Sequence, residues 1–221
     1  MDLLGKNAAI MRDVIGNVVP GSPSAIVVVV SNPLDEMTFL AAEASGFPRE
    51  RVVGMAGVLD SARLRTFIAE ELGVSPNVVE AITLGSHGDA MVALPRHATV
   101  DGKPLPELVD DVTLDRLFQR TRDGGAEIVA LLKSGSAYYA PSASVVAMVT
   151  AITKDTKEIL PVCAWTTGQY GISDVYVGVP ARLGAKGVEE IVELDLNEEE
   201  LAKLRDAAEG IRAKCADLAQ L

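Results

Sequence analysis

Apolar positions recur along this chain with two periods, and the switches between them mark out its elements. Leu4, Ile10, Met11, Val14, Ile15 and Val18 follow helical spacing and predict a helix over residues 2–19. After the turn cluster Pro20–Ser24, the run Ala25–Val30 is apolar without alternation, which predicts a strand buried on both faces of a parallel sheet. It ends in Ser31-Asn32-Pro33-Leu34-Asp35. A helix to Gly46 and a short strand over Arg51–Met55 complete a βαβ unit. A second helix opens at Gly57, with Leu64, Phe67, Ile68 and Leu72 on its buried face, and a strand over Val78–Leu84 runs into Gly85.

Beyond Gly85 the pattern becomes α+β. Met91–Val100 reads as a strand, and Asp101-Gly102 is a hairpin turn. A helix carrying Leu114, Leu117 and Phe118 continues toward Lys133, with an interruption expected at Gly124-Gly125. Pro141–Ile152 is a further helix, and Glu158–Trp165, Val175–Pro180 and Gly187–Glu193 read as antiparallel strands. Asn197 caps a last helix that runs to about Leu218. The fold class is therefore α/β, a partial parallel unit followed by an α+β part with mixed antiparallel strands. The break falls near Gly57, which divides the chain into 1–57 and 58–221.

The chain has 221 residues, 48% hydrophobic and 23% charged, which is the composition of a globular protein with an ample core. Its net charge of −11 argues against nucleic acid as a partner, because phosphate contacts need clustered Lys and Arg. No apolar run reaches the roughly 18 residues of a membrane span, and no signal-peptide pattern follows Met1. The two cysteines, Cys163 and Cys215, lack metal-ligand spacing and suggest a reducing compartment. A cytoplasmic protein without a metal site is expected.

Candidate chemistry gathers between Gly57 and Asp89. Asp60 and Arg63 stand three apart where a helix begins, so both project to one side. His87, one of only two histidines, follows a strand in the turn Gly85-Ser86-His87-Gly88-Asp89, a setting expected to expose its side chain. If these two ends adjoin, Asp60 orients the imidazole and Arg63 grips an anion, which is the layout of a proton-transfer site with a carboxylate clamp. Taken singly, Asp60–Arg63 also reads as a surface ion pair, and His87 as a solvated turn residue. His97 falls within a predicted strand with no acidic neighbour. Asn32 stands at the end of a parallel strand, where open α/β sheets bind ligands.

The joint order of Ser31–Asp35, Gly57-Val58-Leu59-Asp60-Ser61-Ala62-Arg63 and Gly85–Asp89 resembles the lactate/malate dehydrogenase family. The tract Gly135–Pro141, Tyr170-Gly171 and Gly178-Val179-Pro180 are most similar to its bacterial, lactate-dehydrogenase-like malate dehydrogenases. The resemblance covers essentially the whole chain. It implies a partial Rossmann-type sheet, a remnant of a dinucleotide-binding domain over 1–57, and a substrate and catalytic domain over 58–221. It implies NAD-dependent interconversion of malate and oxaloacetate, with His87 as general acid/base, Asp60 orienting it, and Arg63 and Asn32 binding substrate. Asn7, Val30, Ser31 and Asn32 would contact the cofactor. A homo-oligomer, dimer or tetramer, is implied as well.

The chain contains no G-x-G at any position, although dinucleotide-binding units carry such a loop after their first strand. In the family that loop, and the mobile loop whose arginine polarises the reacting carbonyl, would precede Met1. The chain thus resembles the C-terminal two-thirds of such an enzyme, and weak or absent activity is expected of it alone. The alternatives are a dehydrogenase of lactate or another 2-hydroxy acid, and a non-catalytic fragment that retains only folding and association surfaces.

Overall fold

The computed structural model describes residues 3–88 and 90–218. Asp89, the last residue of the histidine turn, and Asp2, the start of the predicted first helix, lie outside them, as does Met1. Within these limits the chain is a mixed α/β structure. Helix α1 (Leu3–Val18) leads to strand β1 (Val27–Val29), helix α2 (Leu34–Ser45), strand β2 (Val52–Gly54) and helix α3 (Gly57–Leu72). Short strands β3 (Val79–Glu80), β4 (Thr83–Gly85), β5 (Met91–Ala93), β6 (Thr99–Val100) and β7 (Lys103–Pro104) follow. Helices α4 (Asp111–Leu132) and α5 (Tyr139–Thr153), strands β8 (Glu158–Thr167), β9 (Ser173–Gly184) and β10 (Gly187–Ile191), and helix α6 (Glu198–Leu218) complete the chain.

Several helix ends fall where the sequence supplies caps. Gly46 and Gly73 adopt left-handed conformations that close α2 and α3. Asp110 Oδ1 accepts from the Thr113 amide at the start of α4. Asn197 Oδ1 accepts from the Glu200 amide, and Glu200 Oε2 accepts from the Asn197 amide, so α6 opens on a reciprocal pair of capping bonds.

One sheet runs through both parts of the chain, in the order β1-β2-β8-β9-β4-β5, with β10 added to β9. Only β1 and β2 are parallel; β2 pairs antiparallel with β8 through Gly54 and Cys163. Strands β3, β6 and β7 form a small separate sheet. A core cluster that includes Met11, Val29, Leu34 and Met37 also includes Cys163, Tyr176 and Leu218, so the first elements pack on the last. A larger cluster fills the space under β8, β9, α5 and α6.

Several sequence expectations need correction. Residues 25–30 are not buried on both faces. β1 spans only Val27–Val29, Val27 and Val28 are half-buried, and Val30 is 49% exposed, because among the described residues only β2 pairs with this strand. The single strand expected over Val78–Leu84 is two strands in two different sheets. The strand expected over Met91–Val100 is broken by a short 3₁₀ turn at Pro95–His97, where proline has no N–H to give a ladder. Helix α1 is apolar on two sides: Ala8, Met11 and Ile15 are buried, whereas Ile10, Val14 and Val18 are exposed.

Candidate active site

Strand β4 delivers the histidine turn to the C-terminal side of the sheet. It can do so because β9 passes very close: a Cβ at Gly178 would collide with the main-chain oxygen of Gly85. On that side Ser86 and His87 meet the first turns of two helices. From α3 comes Asp60, buried, whose Oδ2 lies 2.8 Å from His87 Nδ1. From α2 comes Asp35, also buried, whose Oδ2 accepts the Ser86 hydroxyl at 2.7 Å and the His87 amide at 3.0 Å. The expectation of an exposed imidazole fails: the His87 side chain is 17% exposed, closed in by these carboxylates.

Arg63 follows Asp60 by one turn of α3, its Nη1 3.6 Å from Asp60 Oδ1. Its side chain is 10% exposed, and among the described residues neither its Nε nor Asp60 Oδ1 has a hydrogen-bond partner. A buried guanidinium edge and carboxylate oxygen left open in this way are costly unless something polar joins them. Burial lowers the pKa of the guanidinium, with Asp60 opposing that shift. For His87, burial favours the neutral ring, but the hydrogen bond and charge of Asp60, helped by Asp35, outweigh it and raise the imidazole pKa. The Nδ1 bond to Asp60 leaves Nε2 as the nitrogen available to another partner.

Arg63, His87, Asn32 and Val30 line one cavity of about 640 Å³. Its other walls are Met55, Leu59, and the Val129 and Ser136–Val146 region of α4 and α5. Asp60 stands behind His87 rather than in the cavity lining. Two expected residues are peripheral. Asn7 is outside the lining and donates its side-chain amide to the Asn32 carbonyl, and Ser31 faces the neighbouring groove along α1. A second cavity of about 640 Å³, between α2, β9 and α6, contains none of these residues. Among the described residues no cluster of His, Cys, Asp or Glu has the arrangement of a metal site, and no helix is long and apolar enough to cross a membrane.

The sequence reading missed Asp35 and misread Gly124-Gly125. The two glycines do not interrupt α4, which is continuous from Asp111 to Leu132. Gly124 makes room for Arg63: a Cβ there would lie 3.1 Å from Arg63 Cδ and 3.4 Å from Nε, whereas one at Gly125 would come only within 4.0 Å of the guanidinium. Gly210 of α6, by contrast, faces open space. Alanine is the better helix former by about 1 kcal/mol. Gly210→Ala is therefore expected to raise the melting temperature, while Gly124→Ala is expected to raise it less or lower it. Equal gains for both in thermal unfolding would show that the slot imposes no constraint.

Residues 1–54 match the NAD binding domain of lactate/malate dehydrogenases, and residues 57–220 match their alpha/beta C-terminal domain. The malate dehydrogenase of Roseiflexus castenholzii is 53% identical over 100% of this chain and 71% of its own length, and that of Salinibacter ruber is 50% identical over 100% and 70%. The solved structure of the Salinibacter ruber enzyme superposes with a TM-score of 0.95, covering 99% of this chain and 71% of that one. The lactate dehydrogenase of Cryptosporidium parvum, solved with lactic acid and nicotinamide adenine dinucleotide, gives a TM-score of 0.94 at 38% identity, covering 98% and 70%. With both family domains matched along almost its whole length, and with relatives at half identity or better, this chain belongs to the lactate/malate dehydrogenase family.

Proposed function

We propose that this chain carries the proton-transfer and carboxylate-binding site of an NAD-dependent malate dehydrogenase. The observation that carries the reading is the hydrogen-bonded His87–Asp60 pair beside a buried Arg63, opening on one cavity with Asn32. The malate carboxylate pairs with the fork of Arg63, which fixes the carbon bearing the hydroxyl. His87 Nε2 takes the hydroxyl proton during oxidation and returns it during reduction, and Asp60 holds the ring tautomer and stabilises the imidazolium.

NAD, when bound, supplies the hydride acceptor. The open, cavity-lining position of Asn32 and Val30 fits the nicotinamide end of that cofactor, with Ser31 beside them and Asn7 holding the Asn32 carbonyl. In this reading residues 1–57 are the cofactor-side portion and 58–221 the substrate and catalytic portion. The two free cysteines, one buried and one half-buried, fit a cytoplasmic setting, and the exposed apolar face of α1 fits a homo-oligomer. Lactate is the alternative substrate, because among the described residues Arg63 is the one arginine or lysine in the cavity lining, and it serves the carboxylate that both acids share.

The test compares malate-dependent and lactate-dependent NAD reduction in a version extended to the length of the malate dehydrogenases the chain matches, with and without Arg63→Lys. Lysine keeps the charge but loses the planar fork. A lost charge-assisted hydrogen bond, worth about 1.5–3 kcal/mol, is expected to raise KM for malate roughly 10- to 100-fold. Preference for lactate would replace malate as the substrate. An unchanged KM in Arg63→Lys would remove Arg63 from the site.

A further inference from the structure

Asp60 and His87 belong to different elements, α3 and the turn after β4, so their 2.8 Å contact depends on how the helix is seated on the strand. Two points of α3, one turn apart, meet a single residue of β4. At Gly57 a Cβ would lie 2.8 Å from the Thr83 main-chain oxygen and 2.7 Å from Pro161 Cβ of β8, so the helix start sits flush against both strands. Ser61, the residue after Asp60, accepts a hydrogen bond from the Thr83 amide at 3.0 Å, and its Oγ lies 3.3 Å from Thr83 Oγ1. Ser61 is 5% exposed and Thr83 1%.

Packing alone does not ask for these hydroxyls. Serine is a poorer helix former than alanine, and a buried hydroxyl is unfavourable unless it is hydrogen-bonded. Thr38, Thr66, Thr121 and Ser144 satisfy theirs inside their own helices, on the carbonyl four residues back. Ser61 reaches across to β4 instead, where it takes up a buried strand amide that alanine would leave without that acceptor.

We propose that Ser61 is a positioning residue: its hydrogen bonds to Thr83 fix the first turn of α3 on β4 and thereby set Asp60 at bonding distance from the His87 ring. The inference rests on the proton-transfer reading of His87, but its test does not require turnover. The charged and titratable groups facing His87 are Asp60 and Arg63 from α3 and Asp35 from α2. Burial favours the neutral ring, and the Asp60 hydrogen bond and charge are the main opposition to it. Both weaken as the contact lengthens, so the ring reports on the seating of α3.

The chain has two histidines, so histidine-selective isotope labelling gives two ring signals, and His97, bonded to the Asp195 carbonyl, is the internal reference. In Ser61→Ala the His87 titration midpoint is expected to move to lower pH while the His97 signal stays as in the parent. Thr166→Ala controls for lost stability alone: it removes a buried hydroxyl bonded to the Val175 carbonyl between β8 and β9, outside the cavity lining. Both variants are expected to lower the melting temperature, and only Ser61→Ala to move the His87 midpoint. A parental midpoint in Ser61→Ala, or an equal shift in Thr166→Ala, would reduce Ser61 to a packing residue and overturn the proposal. If Ser61→Ala does not fold, Thr83→Val takes its place. Valine keeps the shape of threonine and the main-chain bond to Ser61 but removes the second hydroxyl. A smaller shift in the same direction then supports the proposal, and an unmoved midpoint overturns it. The proton-transfer reading fails separately, through parental turnover of His87→Asn in the extended version, with no effect on these signals.

Discussion

In a version of the protein extended to the length of the malate dehydrogenases it matches, replacing His87 with asparagine is expected to reduce malate turnover by about 10²- to 10⁴-fold, the usual contribution of a positioned general acid or base, with a much smaller change in KM. Asparagine is close in size and keeps a hydrogen bond to Asp60, but it has no lone pair that takes a proton near neutral pH. The loss therefore falls on the chemical step and spares the Arg63 clamp. The pH dependence carries a second signature. Oxidation needs the neutral ring and rises as pH climbs through the His87 pKa, whereas reduction needs the imidazolium and falls over the same range. Because Asp60 and Asp35 hold that pKa above the ordinary value of about 6.5, both limbs lie on the alkaline side of an unperturbed histidine. Asp60→Asn removes the main support for the imidazolium and moves them to lower pH. The same shift sets the sign for stability: the His87–Asp60 pair stabilises the fold fully below the unfolded-state pKa of the imidazole, and that contribution is lost as pH rises through the folded-state value. A His87→Asn variant with parental turnover, or limbs that stay in place in Asp60→Asn, would remove the histidine from proton transfer.

The parts of this site that were legible in the sequence are those fixed by local geometry. Asp60 and Arg63 are one helical turn apart, and His87 follows a strand between glycines, so each stood out as a candidate, and the resemblance to the family is what joined them. The helix ends at Gly46, Gly73 and Asn197 follow from capping chemistry for the same reason. Features set by distant chain were not legible. Asp35 looks like an ordinary acidic residue in a first helical turn, favourable to the helix dipole, and only the arrival of the Ser86–His87 turn, more than fifty residues later, gives it a partner. Gly124-Gly125 resembles a break until the Arg63 side chain fills the space beside it. Residues 78–84 carry a strand-like pattern throughout, but no local signal marks the change of sheet between Glu80 and Thr83. The run Ala25–Val30 looked interior because six apolar residues in a row say nothing about how many strands flank them.

That run carries the other large expected effect. Among the described residues β1 has one partner, β2, so the opposite edge of Val27–Val29 presents unpaired main-chain groups. Beside it an apolar groove of about 310 Å³ runs between β1 and α1, where Val14 and Val18 are exposed. No lysine, proline or bulge within Ala25–Val30 discourages pairing, and edges of this kind recruit other strands. Reburying even half of an exposed valine stabilises association by about 1 kcal/mol, and Ile10, Val14, Val18 and Val30 together offer several such gains. The chain is therefore expected to associate with itself through this edge, its weight-average mass rising with concentration in size-exclusion chromatography with light scattering. Two substitutions separate the causes. Val28→Lys places a charge on the edge strand, and Val14→Lys places one on the exposed side of α1, where it displaces no buried side chain. Either is expected to shift the chain toward monomer, and Val14→Lys to do so with little change in melting temperature. A parent chain that is monomeric at all concentrations, or association that survives both substitutions, would show that the β1 edge is not the contact.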